Sequence, residues 1–249
     1  MKLSAIIIAK NAQNYIADAI SSVYFADEIV VIDTGSDDIT VDVAKKMGAK
    51  VFTLEAEDFS EIRNFGLQKA KGNWVLYIDT DERVNQDLAI AIKHFVSEKE
   101  DNQFVAFRLK RKNFYFGNYE WPYVEKLERL FKKKNLKNWQ GKLHESPIVD
   151  GSIGDIDGFL VHFTHKDLSS MLEKTIVWST VEARMRFDAN HPKMTWWRFP
   201  RVAVSAFVDS YIRQRGWKAG TAGVIESLYQ SFSMFITYAK LWELQQHKK

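Results

Sequence analysis

The nine residues Trp74-Val75-Leu76-Tyr77-Ile78-Asp79-Thr80-Asp81-Glu82 restrict the possible folds more than any other stretch. A short apolar run, bounded by Gly72-Asn73 behind and charge ahead, reads as a strand buried on both faces. Such strands belong to parallel sheets covered by helices. Asp79 and Asp81 then stand at the C-terminal end of the strand, the edge where open α/β sheets bind ligands. Two carboxylates one residue apart repel each other unless positive charge lies between them. A divalent cation gripping a diphosphate supplies that charge. The same residues read equally well as a solvated loop capping the helix after Val84, and the rest of the chain has to decide.

The preceding segments supply a context. Leu3–Ala9, Glu28–Asp33 and Lys50–Leu54 have strand patterns, and Tyr15–Tyr24, the stretch from Thr40 to Gly48, and Ser60–Ala70 have helical spacing. Ser60 and Gly72 are the expected caps of the third helix. Four strands alternating with helices predict a doubly wound parallel sheet. Asp33, like Asp79, ends a strand. Neither G-x-G-x-x-G nor G-x-x-x-x-G-K-[ST] occurs, which argues against a dinucleotide site of that kind and against a P-loop. Without a glycine cradle, phosphates need a metal and basic side chains. Arg63, on the helix before the acidic strand, suits that task, and equally suits a solvated helix face. The absence of Cys removes disulfides and thiolate metal sites.

Ile6-Ile7-Ile8-Ala9-Lys10-Asn11, Val30-Val31-Ile32-Asp33-Thr34-Gly35-Ser36-Asp37-Asp38, Arg63-Asn64-Phe65-Gly66 and Asp79-Thr80-Asp81-Glu82 follow one another in the order and spacing of the family two glycosyltransferases, which the chain resembles. These are inverting enzymes of the GT-A fold, and the chain looks most like the branch that includes lipopolysaccharide core glycosyltransferases. The resemblance covers the first 165 residues. It implies an α/β fold with a Rossmann-like, mixed, mostly parallel sheet flanked by helices, followed by a C-terminal helical extension. It also implies that Ala9, Asn11 and Asp33 hold the nucleoside, that Arg63 contacts the nucleotide, and that Asp79 and Asp81 bind the sugar nucleotide and a metal, Mg²⁺ or Mn²⁺. Asp81 is the expected direct ligand and UDP-sugar the expected donor.

Beyond residue 97 the reading concerns the acceptor. The stretch 107–142 mixes aromatic and basic residues, which suits an anionic glycan, a single-stranded nucleic acid, or a hairpin with aromatics inward and Lys132-Lys133-Lys134 in water. Inverting transfer needs one base for the acceptor hydroxyl. Glu145, in Trp139-Gln140-Gly141-Lys142-Leu143-His144-Glu145, is the candidate, and it resembles the W-x-G-x-x-H-E element of this branch. It also reads as a hairpin-end residue that orients His144. His162 or His165, at the end of a late strand, is a candidate to complete the metal shell, and each is also readable as a structural histidine.

Residues 166–249 carry 13 Lys and Arg against 7 Asp and Glu, whereas residues 1–165 carry 22 against 25. Long apolar stretches interleave with these basic residues. The combination predicts helices at Asp167–Arg186, Thr195–Ile212 and Thr221–Leu244 that lie on an anionic membrane surface, pack on the catalytic domain, or dimerise. The expected organisation is a catalytic domain over 1–165, with a nucleotide half to about 97 and an acceptor half from 98, then an amphipathic extension over 166–249. Met1–Ala9 reads as a first strand and not a leader. The expected setting is therefore cytoplasmic and peripheral on the inner face of the cytoplasmic membrane, with a glycan or glycolipid acceptor and no nucleic acid. A sugar-nucleotide nucleotidyltransferase, or a non-catalytic lipid- or nucleic-acid-binding module, are the alternatives.

Overall fold

The computed structural model describes residues 2–56, 58–97, 103–141 and 145–246. Strands β1 (Leu3–Ala9), β2 (Glu28–Asp33), β3 (Lys50–Thr53) and β4 (Trp74–Asp79) alternate with helices α1 (Ile16–Ser22), α2 (Thr40–Lys46) and α3 (Phe59–Lys69). There follow the short β5 (Glu82–Val84), α4 (Gln86–Ser97), the long β6 (Phe104–Tyr115) and β7 (Tyr119–Lys132), then β8 (Leu136–Gln140), β9 (Ser146–Val149) and β10 (Ser152–His165). Helices α5 (Leu168–Asp188), α6 (Arg198–Val208) and α7 (Gly220–Gln246) come last.

An eight-stranded sheet runs β3-β2-β1-β4-β7-β6-β10-β5, and β8 and β9 make a separate ribbon. β3, β2, β1 and β4 pair in parallel, whereas β4 with β7 and β10 with β5 are antiparallel. The mixed sheet is of the expected class. Successive strand residues face opposite sides, and both sides are covered. Ala5, Ile7, Val31, Leu76 and Ile78 pack with Ile16 and Ile20 of α1 and Leu88 and Ile92 of α4. Ile6, Val30, Ile32, Val75 and Tyr77 pack with Ile62 and Leu67 of α3 and with Leu136 and Trp139 of β8. This two-sided burial is why the strands read as unbroken apolar runs.

Several ends differ from expectation. Asp58, not Ser60, caps α3: its side chain accepts from the backbone N–H groups of Ser60 and Glu61. The C-terminal cap is Ala70, whose N–H reaches the Gly66 carbonyl, and not Gly72. The lysine run is only partly in water, since Lys132 lies over the Trp74 ring at 5.6 Å and Lys133 donates to the Ala70 carbonyl. Asn85 caps α4, accepting at Oδ1 from Leu88 N–H, and it also accepts from Phe159 N–H on β10. Asp79-Thr80-Asp81-Glu82 is thereby relieved of the capping role that the sequence allowed it.

The chain forms two compact units, one of Met1–Lys112 with Glu125–His162, the other of Asn113–Val124 with Phe163–Lys249. In the second, Asp167 and Ser170 form a capping box at α5. α5 and α7 are joined by the Thr175 and Tyr229 hydroxyls at 2.6 Å. The expected helix Thr195–Ile212 is shorter, because Trp196 and Trp197 precede α6 and a π turn, Asp209–Arg213, follows it. Trp121 is buried in this unit and donates through Nε1 to Gln214, whereas Tyr119 and Tyr123 are exposed. Among the described residues no helix is long and apolar enough to cross a membrane.

The first turn of α4 sits on β10 at Gly158. That residue has φ +98°, and a Cβ there would lie 2.3 Å from the Leu88 backbone nitrogen. Gly48 at the end of α2 has φ +80° and open space around it. Gly48→Ala is expected to cost about 1 kcal/mol of strain alone. Gly158→Ala adds overpacking of about 1–3 kcal/mol on top of that strain. Urea midpoints of the two variants check the order, and equal losses would remove the close approach of α4 as the reason for Gly158.

Candidate active site

The site gathers where three parallel strands end side by side. Ala9 of β1 pairs with Asp33 of β2, and Ile8 of β1 pairs with Asp79 of β4. The chain leaves β1 for β2 on one side and returns to β4 on the other, so β1 marks the switch point at which ligands enter such sheets.

The loops after β1 and β2 are laced together. Asn11 has φ +47°, donates its N–H to Ser36 Oγ at 2.9 Å and accepts at Oδ1 from Asp37 N–H at 2.9 Å. Ala12 and Gln13 donate to Thr40 Oγ1 and Asp38 Oδ2. Asp33 is buried and spends its carboxylate on the N–H groups of Gly35 and Ser36. Ala9, Asn11 and Asp33, the expected nucleoside residues, thus form one braced rim. Asp33 shapes the turn with its side chain.

Beside this rim lies a carboxylate–guanidinium cluster. Asp79 meets Arg63 Nη2 at 3.3 Å through Oδ1 and Arg129 Nη2 at 2.9 Å through Oδ2. Its backbone N–H donates to Glu82, which is fully buried and also bonded by Arg111 at 3.0 Å and Arg129 at 3.5 Å. Burial alone would make Asp79 harder to ionise, but Arg129 first and then Arg63 hold its carboxyl well below the usual carboxylate range. Burial likewise works against the charge of Arg129, and Asp79 and Glu82 overcome it and raise its pKa. Each Asp79 oxygen thus meets one arginine, and the side chain stays 32% exposed, which leaves lone pairs facing outward.

Asp81 lies outside that lattice, 3.4 Å from Nε2 of His162 on β10. Arg83 holds the intervening loop: its Nη1 donates to the Thr80 and Glu82 carbonyls at 2.7 Å each, and its Nη2 to the Tyr15 carbonyl at 3.0 Å. His162, one of the two histidines expected to complete a metal shell, thus lies beside Asp81. The side chain of His165 and the whole of His144 lie outside the described residues. Among the described residues no group of three or more His, Asp or Glu forms a complete metal shell.

Arg63 ties the two halves of the site. Its Nε donates to Glu145 Oε1 at 2.7 Å while its Nη2 reaches Asp79. Its guanidinium lies 4.9 Å from the Trp139 ring and 5.6 Å from that of Tyr77, a planar stacking that lysine could not reproduce. Nη1 is buried with no partner among the described residues. Asn64 beside it exchanges two hydrogen bonds with the Trp139 backbone, at 3.0 and 2.8 Å, which anchors β8 to α3. So Arg63 is a buried site residue and not a solvated helix face. Arg111, Arg129 and Arg83 were not singled out in the sequence. Their signal was faint: arginines alternating along the hairpin strands, which read as surface charge.

Asp79, Glu82, Glu125 and Glu145 face Arg63, Arg111 and Arg129 in this network, and Asp81 faces His162. Asp81 and His162 offer the oxygen and nitrogen donor types that a divalent cation takes.

The family model described as Glycosyl transferase family 2 matches residues 4–152. An uncharacterized glycosyltransferase of Rickettsia typhi is 28% identical over 258 residues, covering 98% of this chain and 87% of its own length. The lipopolysaccharide core biosynthesis glycosyltransferase LpsC of Rhizobium meliloti is 24% identical over 258 residues, covering 98% and 93%. Among solved structures, Staphylococcus aureus TarS residues 1–349 in complex with UDP-GlcNAc aligns over all of this chain and 93% of its own, at 15% identity and a TM-score of 0.49.

Arg129→Met removes the cation that Asp79 and Glu82 share and leaves each with one arginine, Arg63 and Arg111, so the expected loss is about 3 kcal/mol, the low end for a broken buried pair. In the Glu82→Gln background the loss should shrink, because one of the two carboxylates that Arg129 serves is gone. A urea-melt double-mutant cycle reads both. An unchanged loss in the Glu82→Gln background would show that Arg129 and Glu82 are not coupled.

Proposed function

Given that the chain belongs to glycosyl transferase family 2 and is a glycosyltransferase, we propose that it moves a sugar from a UDP-sugar to a hydroxyl of a membrane-anchored glycan such as lipopolysaccharide core, with inversion. The observation that carries this reading is the juxtaposition at one sheet edge of the braced Ala9–Asn11–Asp33 rim, the outlying Asp81 with His162, and Glu145 held by Arg63. The first supports a nucleoside, the second a charged diphosphate, the third a proton acceptor.

Arg63 fixes Glu145 by Oε1 and leaves Oε2 without a partner among the described residues. Oε2 takes the proton of the acceptor hydroxyl as that oxygen attacks the anomeric carbon. The bond from the anomeric carbon to the diphosphate oxygen breaks on the opposite face, and its electron pair leaves with UDP. Arg63 Nη1, unspent and buried, is suited to the diphosphate charge. Asp81 and His162 would hold Mg²⁺ or Mn²⁺; Asp79 acts through its arginines. The cation would supply neutralisation of the leaving diphosphate. Residues 1–165 carry this chemistry, and 166–249 serve the acceptor side, at the cytoplasmic face of the membrane. The relation to LpsC favours a lipopolysaccharide core acceptor over a nucleotidyl transfer.

Calorimetric titration with UDP, with and without Mn²⁺, tests the donor site. Metal-dependent binding is expected in the native protein and should vanish in Asp81→Ala with the circular dichroism spectrum unchanged. Metal-dependent binding that survives in Asp81→Ala would move the metal ligand elsewhere. Glu145→Gln should keep UDP binding and lose about 10²- to 10⁴-fold in turnover, measured as UDP release. Normal turnover in that variant would exclude Glu145 as the base.

A further inference from the structure

The helical unit contains a cavity of about 520 Å³ formed by α6, its π turn, α7 and the segment before α6. That volume lies within the range of small-ligand sites. Its walls combine two chemistries. Met194, Val202, Ala206 and Met234 make an adaptable apolar surface. Arg198, Arg201 and Arg213 bring positive charge.

The hydrogen bonds decide how much of that charge is available. Arg213 is 3.4 Å from Asp209, whose other oxygen accepts from Gln214 at 2.9 Å, so this pair is internally neutral. Arg198 donates from Nη1 to the Pro192 and Lys193 carbonyls and lies 5.5 Å from the centre of the Trp197 ring, which fixes the guanidinium without neutralising it. Arg201 has no hydrogen-bond or ion-pair partner among the described residues. Two guanidiniums therefore face an apolar-walled cavity with donors unspent, and no carboxylate among the lining residues is left over to balance them. Planar guanidinium forks with free N–H groups match a phosphate.

The rim indicates where that phosphate comes from. Trp196 and Trp197, immediately before Arg198 at the start of α6, are 82% and 46% exposed. Exposed indole rings next to a basic pocket suit the level of lipid headgroups.

We propose that this cavity binds the phosphate of an anionic lipid headgroup, with Arg198 and Arg201 as donors and Trp196 and Trp197 entering the interface. This deepens the reading of a membrane-anchored acceptor and rests on it for the biological setting. The binding itself is read without donor or transfer, so failure of the catalytic reading and failure of this one are distinguishable.

The experiment is sedimentation of the full chain with vesicles. Phosphatidylcholine vesicles with added phosphatidylglycerol should bind the protein, pure phosphatidylcholine vesicles should bind it far less, and excess inorganic phosphate should not release it. Arg201→Gln removes an exposed, unpartnered side chain and is expected to weaken binding roughly fivefold; Arg198→Gln with Arg201→Gln should reach about 30-fold. Lys218→Gln, a basic position outside the cavity, should have a clearly smaller effect. Equal weakening by Lys218→Gln and Arg201→Gln would reduce the effect to general surface charge and overturn the pocket. Binding unaltered in both arginine variants, equal binding to the two vesicle types, or release by inorganic phosphate would each overturn it as well.

Discussion

Burying carboxylates at the end of a hydrophobic strand costs far more than the fold can spare unless cations are buried with them. Here the cations are arginines, and Arg129 is the pivot, since it contacts both Asp79 and Glu82. Arginine suits the place for a physical reason: its fork can satisfy two carboxylates at once and stays charged in a low-dielectric site. Around that pair the other assignments follow. Asp79 becomes part of the scaffold, Glu82 fixes the turn by accepting the Asp79 N–H, and Asp81 is left at the rim with its charge unspent.

The same arrangement couples the two halves of the catalytic unit. The parallel half, β3-β2-β1-β4, supplies strand ends for the nucleotide, and the antiparallel half supplies the cations that hold those ends together. Arg63 bridges from Asp79 to Glu145, and Asn64 beside it pins the Trp139 backbone. Arg63 of α3 therefore holds both the proposed base and the strand end that leads into the acidic turn. Pre-set positioning of this kind is what a transfer reaction requires, because misplacement of a base by a fraction of a bond length costs rate.

The helical unit follows a different logic. Its own core is small, with Ala183, Met194 and Leu241 at the centre, and many of its large apolar side chains remain in contact with solvent. Its internal cohesion leans on hydroxyl pairs such as Thr175–Tyr229 and Ser210–Ser227. Exposed apolar side chains and a surplus of basic residues in the same region are what the proposed anionic lipid surface would meet.

The parallel core was legible in the sequence because burial on both faces leaves unbroken apolar runs, and strands such as Leu3–Ala9 and Glu28–Asp33 appear where those runs are. The rim residues Ala9, Asn11, Asp33, Arg63, Asp79 and Asp81 were legible too, since each sits at a strand end or in a motif beside one. The caps of α3 were each misplaced by two residues; at its start Asp58 and Ser60 offer the same capping chemistry and only backbone angles choose between them. What tertiary structure alone decided was pairing. Arg111 and Arg129 lie on a distant hairpin, and sequence spacing carries no record of which carboxylate a strand will meet when it is laid antiparallel beside β4. That pairing gives Asp79 two arginine partners and leaves Asp81 facing His162. It does so because Coulomb attraction in a low-dielectric site depends on separation in space, and the sequence specifies only separation along the chain.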